Sequence, residues 1–250
     1  MGCSRSSRVC CLTAILSFSL ASTFANEPNG NWTDLITDAG LAGWQPVKQQ
    51  EPHEWQAAKS VELDAQDNRR FSILDGTGIL TNAANAGKTQ NLLSENNYGD
   101  VEVHIEFNLP MGSNSGVFFM ALYELQVADS YGKPDIVFSD CGGFYARKVD
   151  GKWVGGVAPQ VNACKPPGQW QTYDVKFRAP RFDADGSKTE NARFLEVLHN
   201  GVLIHNDIEM EGPNSAHLDI PEAPEGPLML QGDHGPIAYR NLRVRKLKSE

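Results

Sequence analysis

Residues 101–109, VEVHIEFNL, alternate without a break: Val101, Val103, Ile105, Phe107 and Leu109 fall on one face of an extended chain, and Glu102, His104, Glu106 and Asn108 on the other. A period of two describes a strand buried on one side and does not fit a helix. The rest of the chain follows suit. "RFLEVLHNGVLIHND" places Asn200-Gly201, two residues suited to positive φ, between apolar runs, which predicts a tight hairpin. "FSILDGTGIL" predicts the same device at Asp75-Gly76, and "QWQTYDVKFRAP" and "IAYRNLRVRKL" predict two further strands. Beyond residue 25, helical periodicity of useful length is absent, and only short helical turns are expected, near residues 34–39 and in the loops. The 23 glycines and 14 prolines lie between short apolar runs as turn punctuation. The expected fold is all-β, a two-sheet antiparallel β-sandwich, and not alternating βα units.

Residues 1–25 carry Arg5 and Arg8, an apolar run from Val9 to Leu20, and small residues ending at Ala25. This is the pattern of a secretory signal peptide, and it predicts a secreted or periplasmic protein with one domain over residues 26–250. The apolar run is too short to span a bilayer, so no membrane span is expected in the mature chain. Cleavage removes three of five cysteines and leaves Cys141 and Cys164, an even pair expected to form a disulfide. Such a bridge would stabilise the fold by roughly 3 kcal/mol. Cleavage also moves the formal net charge from −9 to −11. That balance argues against nucleic acid or an anionic membrane as partner.

Two short segments hold the residues suited to chemistry. In "LYELQVAD", Glu124 and Gln126 project from one face of a strand, and Tyr123, Leu125 and Val127 from the other. Asp129, five positions after Glu124, joins its face only if a β-bulge intervenes. In "LMLQGDHGPIAYRNLRVRKL", Leu228 and Leu230 are expected in the core, with Gln231, Asp233 and His234 at the strand end. His234 is a candidate general base with Asp233 to orient it, and a structural histidine satisfied by backbone is the alternative. Tyr131, Tyr145, Trp153 and Trp170 offer ring faces on which a pyranose can stack, with an ordinary place in the core as the alternative for each. "DADGSKTE" has its glycine in the fourth position of a would-be calcium loop, not the sixth, so a hairpin turn is expected. The histidines and the two remaining cysteines make no zinc-binding spacing, and no motif calls for a metal or cofactor. The Pro- and Gly-rich segments 158–168 and 211–227 are expected to be long ordered loops, the latter including "EGPNSAHLDIPEAPEGP".

"NSGVFF", "YELQVADSYG", "CGGFYARK", "APQVNACKPPGQWQTYDVKFRAPRFDADG", "VLHNGVLIHND" and "GPLMLQGDHGPIAYRNLRVRKL" together resemble the 3-keto-disaccharide hydrolase domain family, from about Leu35 to Leu247. The resemblance implies a concanavalin-like jelly roll with a sugar site on one sheet, acting on glycosides whose sugar is oxidised to a ketone at carbon 3. A ketone there acidifies the hydrogen on carbon 2, so a base can remove it and the substituent on carbon 1 can be expelled before water adds back. The 124–129 block is also similar to the E-x-D-x-x-E strand of glycoside hydrolase family 16. Glu124 matches that family's nucleophile, but Gln126 stands for its orienting aspartate and Asp129 for its acid/base glutamate.

On these grounds the expected acid/base group is Glu124, Asp129 and His234. Asn114, Gln126, Tyr145, Gln231 and Arg240 are expected to hold sugar hydroxyls or the keto oxygen. The expected partner is an oxidised disaccharide or glycoside. A lectin-like sugar-binding module on the same fold, and a family 16 type glycosidase of unmodified glycans, stay open as alternatives.

Overall fold

The computed structural model describes residues 32–248, and the signal-peptide reading of residues 1–25 lies outside them. Among the described residues two antiparallel sheets face one another. The larger runs, edge to edge, Val202–Met210, Ala192–His199, Gln171–Arg178, Val101–Asn108, Ala238–Lys246, Phe71–Thr81 and Gln56–Leu63, with Thr33–Asp34 also paired to Ala238–Lys246. The smaller runs Trp44–Pro46, Leu92–Tyr98, Gly226–Leu230, Asn114–Phe119 and Tyr123–Ala128. The sole helical element described is the 3-10 turn Ala83–Asn85. No described helix is long and apolar enough to cross a membrane.

Alternation builds the core. Val101, Val103, Ile105 and Phe107 of the larger sheet are buried, as are Val117, Phe119, Tyr123, Leu125 and Val127 of the smaller. Between the sheets the rings interlock: Phe119 lies 5.1 Å from Phe177 and 5.0 Å from Phe194, centroid to centroid. Offset and edge contacts at this range add about 0.5–1.5 kcal/mol per pair beyond the area they bury. Leu228 and Leu230 join the same core as expected.

Asn200 and Gly201 take φ of 51° and 79° and turn the chain between Ala192–His199 and Val202–Met210, as the sequence predicts. Residues 183–187 likewise turn between Arg181–Phe182 and Lys188–Glu190. Asp75-Gly76 departs from expectation. Phe71–Thr81 is one strand, and residues 76–78 bulge from it, so that Ala58 pairs with both Asp75 and Ile79. A Cβ at Gly76 would meet Lys59 Cβ at 2.6 Å, so the glycine serves close backbone approach in a bulge instead of a hairpin. The helical turn expected near 34–39 is also absent; that stretch holds turns and a Thr37–Gly40 bridge.

Cys141 and Cys164 are two thiols in hydrogen-bond contact and not a disulfide. The fold brings loop 158–168 against the neighbourhood of Cys141, as expected, and the two sulfurs lie within 4.8 Å of one another.

Candidate active site

Asn114–Phe119 and Tyr123–Ala128 form a hairpin in unbroken register, so Asn114, Gly116 and Phe118 share a face with Ala128, Gln126 and Glu124. This face points away from the intersheet core. Over Phe118 it is covered by Leu218 and Ile220. Beside them, Glu124, Gln126, Asn114 and Gln231 line a cavity of about 180 Å³ whose rim carries Tyr145, Trp153 and His234. It lies below the roughly 300–1,000 Å³ of pockets for drug-sized ligands, which suits one sugar unit better than an extended chain.

Glu124 sits at the base of the cavity, 2% exposed. Gly116, across the hairpin, makes room for it: a Cβ there would lie 2.6 Å from Glu124 Oε1. The backbone of Glu124 is fixed by Asn214, whose Oδ1 accepts the Glu124 N–H and whose Nδ2 donates to the Tyr145 carbonyl. Burial pushes the Glu124 carboxyl up to about 8; the nearby Asp233 charge adds to this and His234 opposes it. Glu124 is therefore a neutral acid at pH 7.

His234 stands half-exposed at the mouth, with Nδ1 2.5 Å from Asp233 Oδ1. The Asp233 hydrogen bond raises its pKa above the ordinary 6.5, and partial burial opposes the rise. With Nδ1 engaged by a carboxylate, Nε2 is the nitrogen free to exchange a proton. Asn82 holds the loop that carries this pair. It is fully buried, donates to the carbonyls of Gly87, Gly232 and Gly235, and accepts the Ile237 N–H at 2.8 Å.

Gln231 is locked by its backbone, donating to Gly116 O at 3.0 Å and accepting Ser115 Oγ at 2.8 Å. Its side chain is 3% exposed and Oε1 has no partner. A buried acceptor left unmade costs about 1–3 kcal/mol, and here it lines the cavity. Gln126 is placed from behind: its N–H donates to Gly143 O and its carbonyl accepts the Tyr173 hydroxyl at 2.7 Å. Trp153, on the hairpin of Arg147–Val149 and Lys152–Val154, is 55% exposed and meets Tyr145 edge to face at 6.0 Å.

Two expected site residues are elsewhere. Asp129 does not join Glu124, because the hairpin register has no bulge and the strand ends at Ala128. Its carboxylate instead accepts the Gly112 N–H at 2.8 Å. Arg240 belongs to the larger sheet, where it pairs with Glu106 at 2.7 Å and its guanidinium lies 4.0 Å over the Trp170 ring. Both Trp170 and Tyr131 are absent from the cavity lining. Conversely, no motif or spacing marks Asn82, Gly116 or Asn214; loop 211–227 is recognisable as a loop that could serve a site, but nothing singles out Asn214 within it.

A larger cavity, about 420 Å³, lies among Arg178, Lys188, Glu190, Arg193 and Glu209. Arg178 pairs there with Glu190 and Arg193 with Glu209, so most of its charge is spent in a surface ion-pair network.

The raised Glu124 pKa has a consequence for stability. An unfolded glutamate gives up its proton near 4.5, whereas the folded one keeps it to about 8. The native state thus binds the extra proton, and stability falls as pH rises through this window. Glu124→Gln removes that loss, so its melting temperature relative to the parent is expected to climb steadily between pH 4.5 and 8. Parallel melting curves across the window would contradict a protonated Glu124.

A candidate glycosyl hydrolase from Parabacteroides distasonis has a similar structure, with 27% identity and TM-score 0.62 over 86% of this chain and 84% of that one. Two further candidate glycosyl hydrolases from the same organism share the fold. One has 20% identity and TM-score 0.55 over 87% of this chain and all of its own, the other 15% and 0.56 over 87% and 94%. No curated protein matches the chain. The model of the 3-keto-alpha-glucoside-1,2-lyase-like domain matches residues 31–245, and the chain, with its sandwich and its cleft on the smaller sheet, belongs to that family.

Proposed function

We propose that this is an exported carbohydrate-active enzyme that cleaves the glycosidic bond of 3-keto-glycosides by proton abstraction at C2, elimination and hydration. The observation that carries the reading is the pairing of a buried, protonated carboxyl with a carboxylate-held imidazole in one small cavity. Two groups poised on opposite sides of their proton transfers are what an elimination needs. Family membership and the likeness to candidate glycosyl hydrolases support a carbohydrate substrate.

In this reading His234 Nε2 takes the C2 proton, and the C–H electrons pass to the C3 oxygen as an enolate. The side-chain amides of Gln126 and Asn114 have N–H groups to offer that oxygen. As the enolate collapses, the C1–oxygen bond breaks and Glu124 delivers its proton to the departing oxygen. Water then adds across C1 and C2, its hydroxyl to C1 and its proton to C2, leaving a free 3-keto sugar and an alcohol. Gln231 Oε1 receives a sugar hydroxyl, so a substrate lacking that hydroxyl is discriminated against. Trp153 and Tyr145 supply the ring faces at the rim. Gln126 in place of an ionised aspartate weighs against double displacement through Glu124.

Incubation with a disaccharide and its 3-keto derivative, followed by chromatography, tests the proposal. Release is expected from the oxidised sugar alone. Equal release from the unoxidised sugar, or binding of the keto sugar without release, would overturn it.

A further inference from the structure

The fold gathers three soft donors behind the cleft. Cys141 Sγ, Cys164 Sγ and a ring nitrogen of His199 lie within 4.8 Å of one another. Cys141 and His199 are buried and Cys164 is half-buried. A tetrahedral zinc with S and N ligands holds those atoms roughly 3.5–3.8 Å apart, so modest side-chain rotation closes the set.

The surroundings match a metal–thiolate centre in two respects. First, the backbone N–H groups of Ala128 and Ser130 are directed to the sulfurs of Cys141 and Cys164 respectively. Donors of this kind stabilise sulfur bearing negative charge. Second, His199 Nε2 is 2.9 Å from Gln171 Oε1, an oxygen that also accepts the Lys165 N–H at 3.0 Å. That oxygen cannot donate, so Nε2 carries the hydrogen and Nδ1 keeps the lone pair. Locking one ring nitrogen to an outer acceptor is how a ligating histidine is oriented. The Tyr173 hydroxyl, 3.1 Å from Cys141 Sγ, is an oxygen within reach of a fourth position.

We propose that Cys141, Cys164 and His199 form a binding site for one zinc-class cation. None of the three lines the sugar cleft, so the ion is structural. It ties the loop before Phe144 and loop 158–168 to the end of strand Ala192–His199. Gly142 and Gly143 exchange backbone hydrogen bonds with Gln126, so the clamp steadies the strand that carries Glu124.

Cobalt titration of the reduced, metal-free full chain without oxygen tests this. One equivalent of Co2+ is expected to give the near-ultraviolet thiolate charge-transfer band and the enhanced visible bands of a tetrahedral site, both abolished by Zn2+. Cys164→Ser and His199→Gln are each expected to weaken Co2+ binding at least tenfold, while Glu124→Gln leaves it unchanged. Zn2+ is also expected to raise the melting temperature of the parent but not of Cys164→Ser, which keeps the test decisive if His199→Gln fails to fold. Absence of a thiolate band in protein with two titratable thiols, or a band that survives Cys164→Ser, would overturn the assignment.

Discussion

Glu124→Gln and His234→Ala are each expected to lower kcat/KM on a 3-keto-disaccharide by at least about a hundredfold, within the usual range for a lost general acid or base. Glutamine keeps the shape of Glu124 in the space left by Gly116 but cannot release a proton to the leaving oxygen. Alanine at 234 removes a half-exposed ring and opens no core cavity, so the fold should survive. The pH profile separates the roles. His234 must be neutral to act as base, and its raised pKa places that limb above the ordinary 6.5. Glu124 must be protonated to act as acid, and that form is lost as pH rises through about 8. The parent should show a narrow bell whose limbs are macroscopic values of the coupled pair. Glu124→Gln should lack the alkaline limb. Near-parental turnover in either variant, or an unchanged alkaline limb in Glu124→Gln, would remove the assignment.

Asn82→Ala carries the second large effect, on stability. One fully buried amide serves three carbonyls and one N–H of the 87 and 232–237 segments. Alanine leaves the Ile237 N–H and the Gly87 and Gly235 carbonyls unmet, while the Gly232 carbonyl keeps the Thr89 N–H, and at about 1–3 kcal/mol for each group that water cannot reach, a loss of about 3 kcal/mol or more is expected. Urea unfolding measures it. Asn82→Asp keeps the acceptor for Ile237 and loses the donations, yet should still destabilise by more than about 1 kcal/mol. A midpoint within error of the parent for Asn82→Ala would mean that the loop holding Asp233 and His234 does not depend on this side chain.

The sheets were legible because burial on one face writes a period of two into local sequence, as in Val101–Asn108 and around Asn200-Gly201. Asp75-Gly76 misled because a turn dipeptide and a bulge draw on the same glycine freedom, and only the partner strand at Ala58 decides between them. Glu124, Gln126, Gln231 and His234 were readable as two clusters, and tertiary pairing joined them. Asp129 was not readable, since its face depended on where the strand ends. Arg240 was claimed by Glu106, a partner 134 positions away. Asn82, Asn214 and the place of His199 beside Cys141 and Cys164 depend on long separations, where spacing carries no signal.

Isotope content at carbon 2 of the product distinguishes elimination from direct displacement. A 3-keto-disaccharide turned over briefly in D2O, with an enzyme-free control for spontaneous exchange, yields a 3-keto sugar whose C2 is examined by NMR and mass spectrometry. Proton abstraction followed by hydration places one deuterium from solvent at C2 in the first turnovers, in excess of the control. Release of a 3-keto sugar that retains its original hydrogen at C2 would contradict the mechanism and return Glu124 to consideration as a nucleophile.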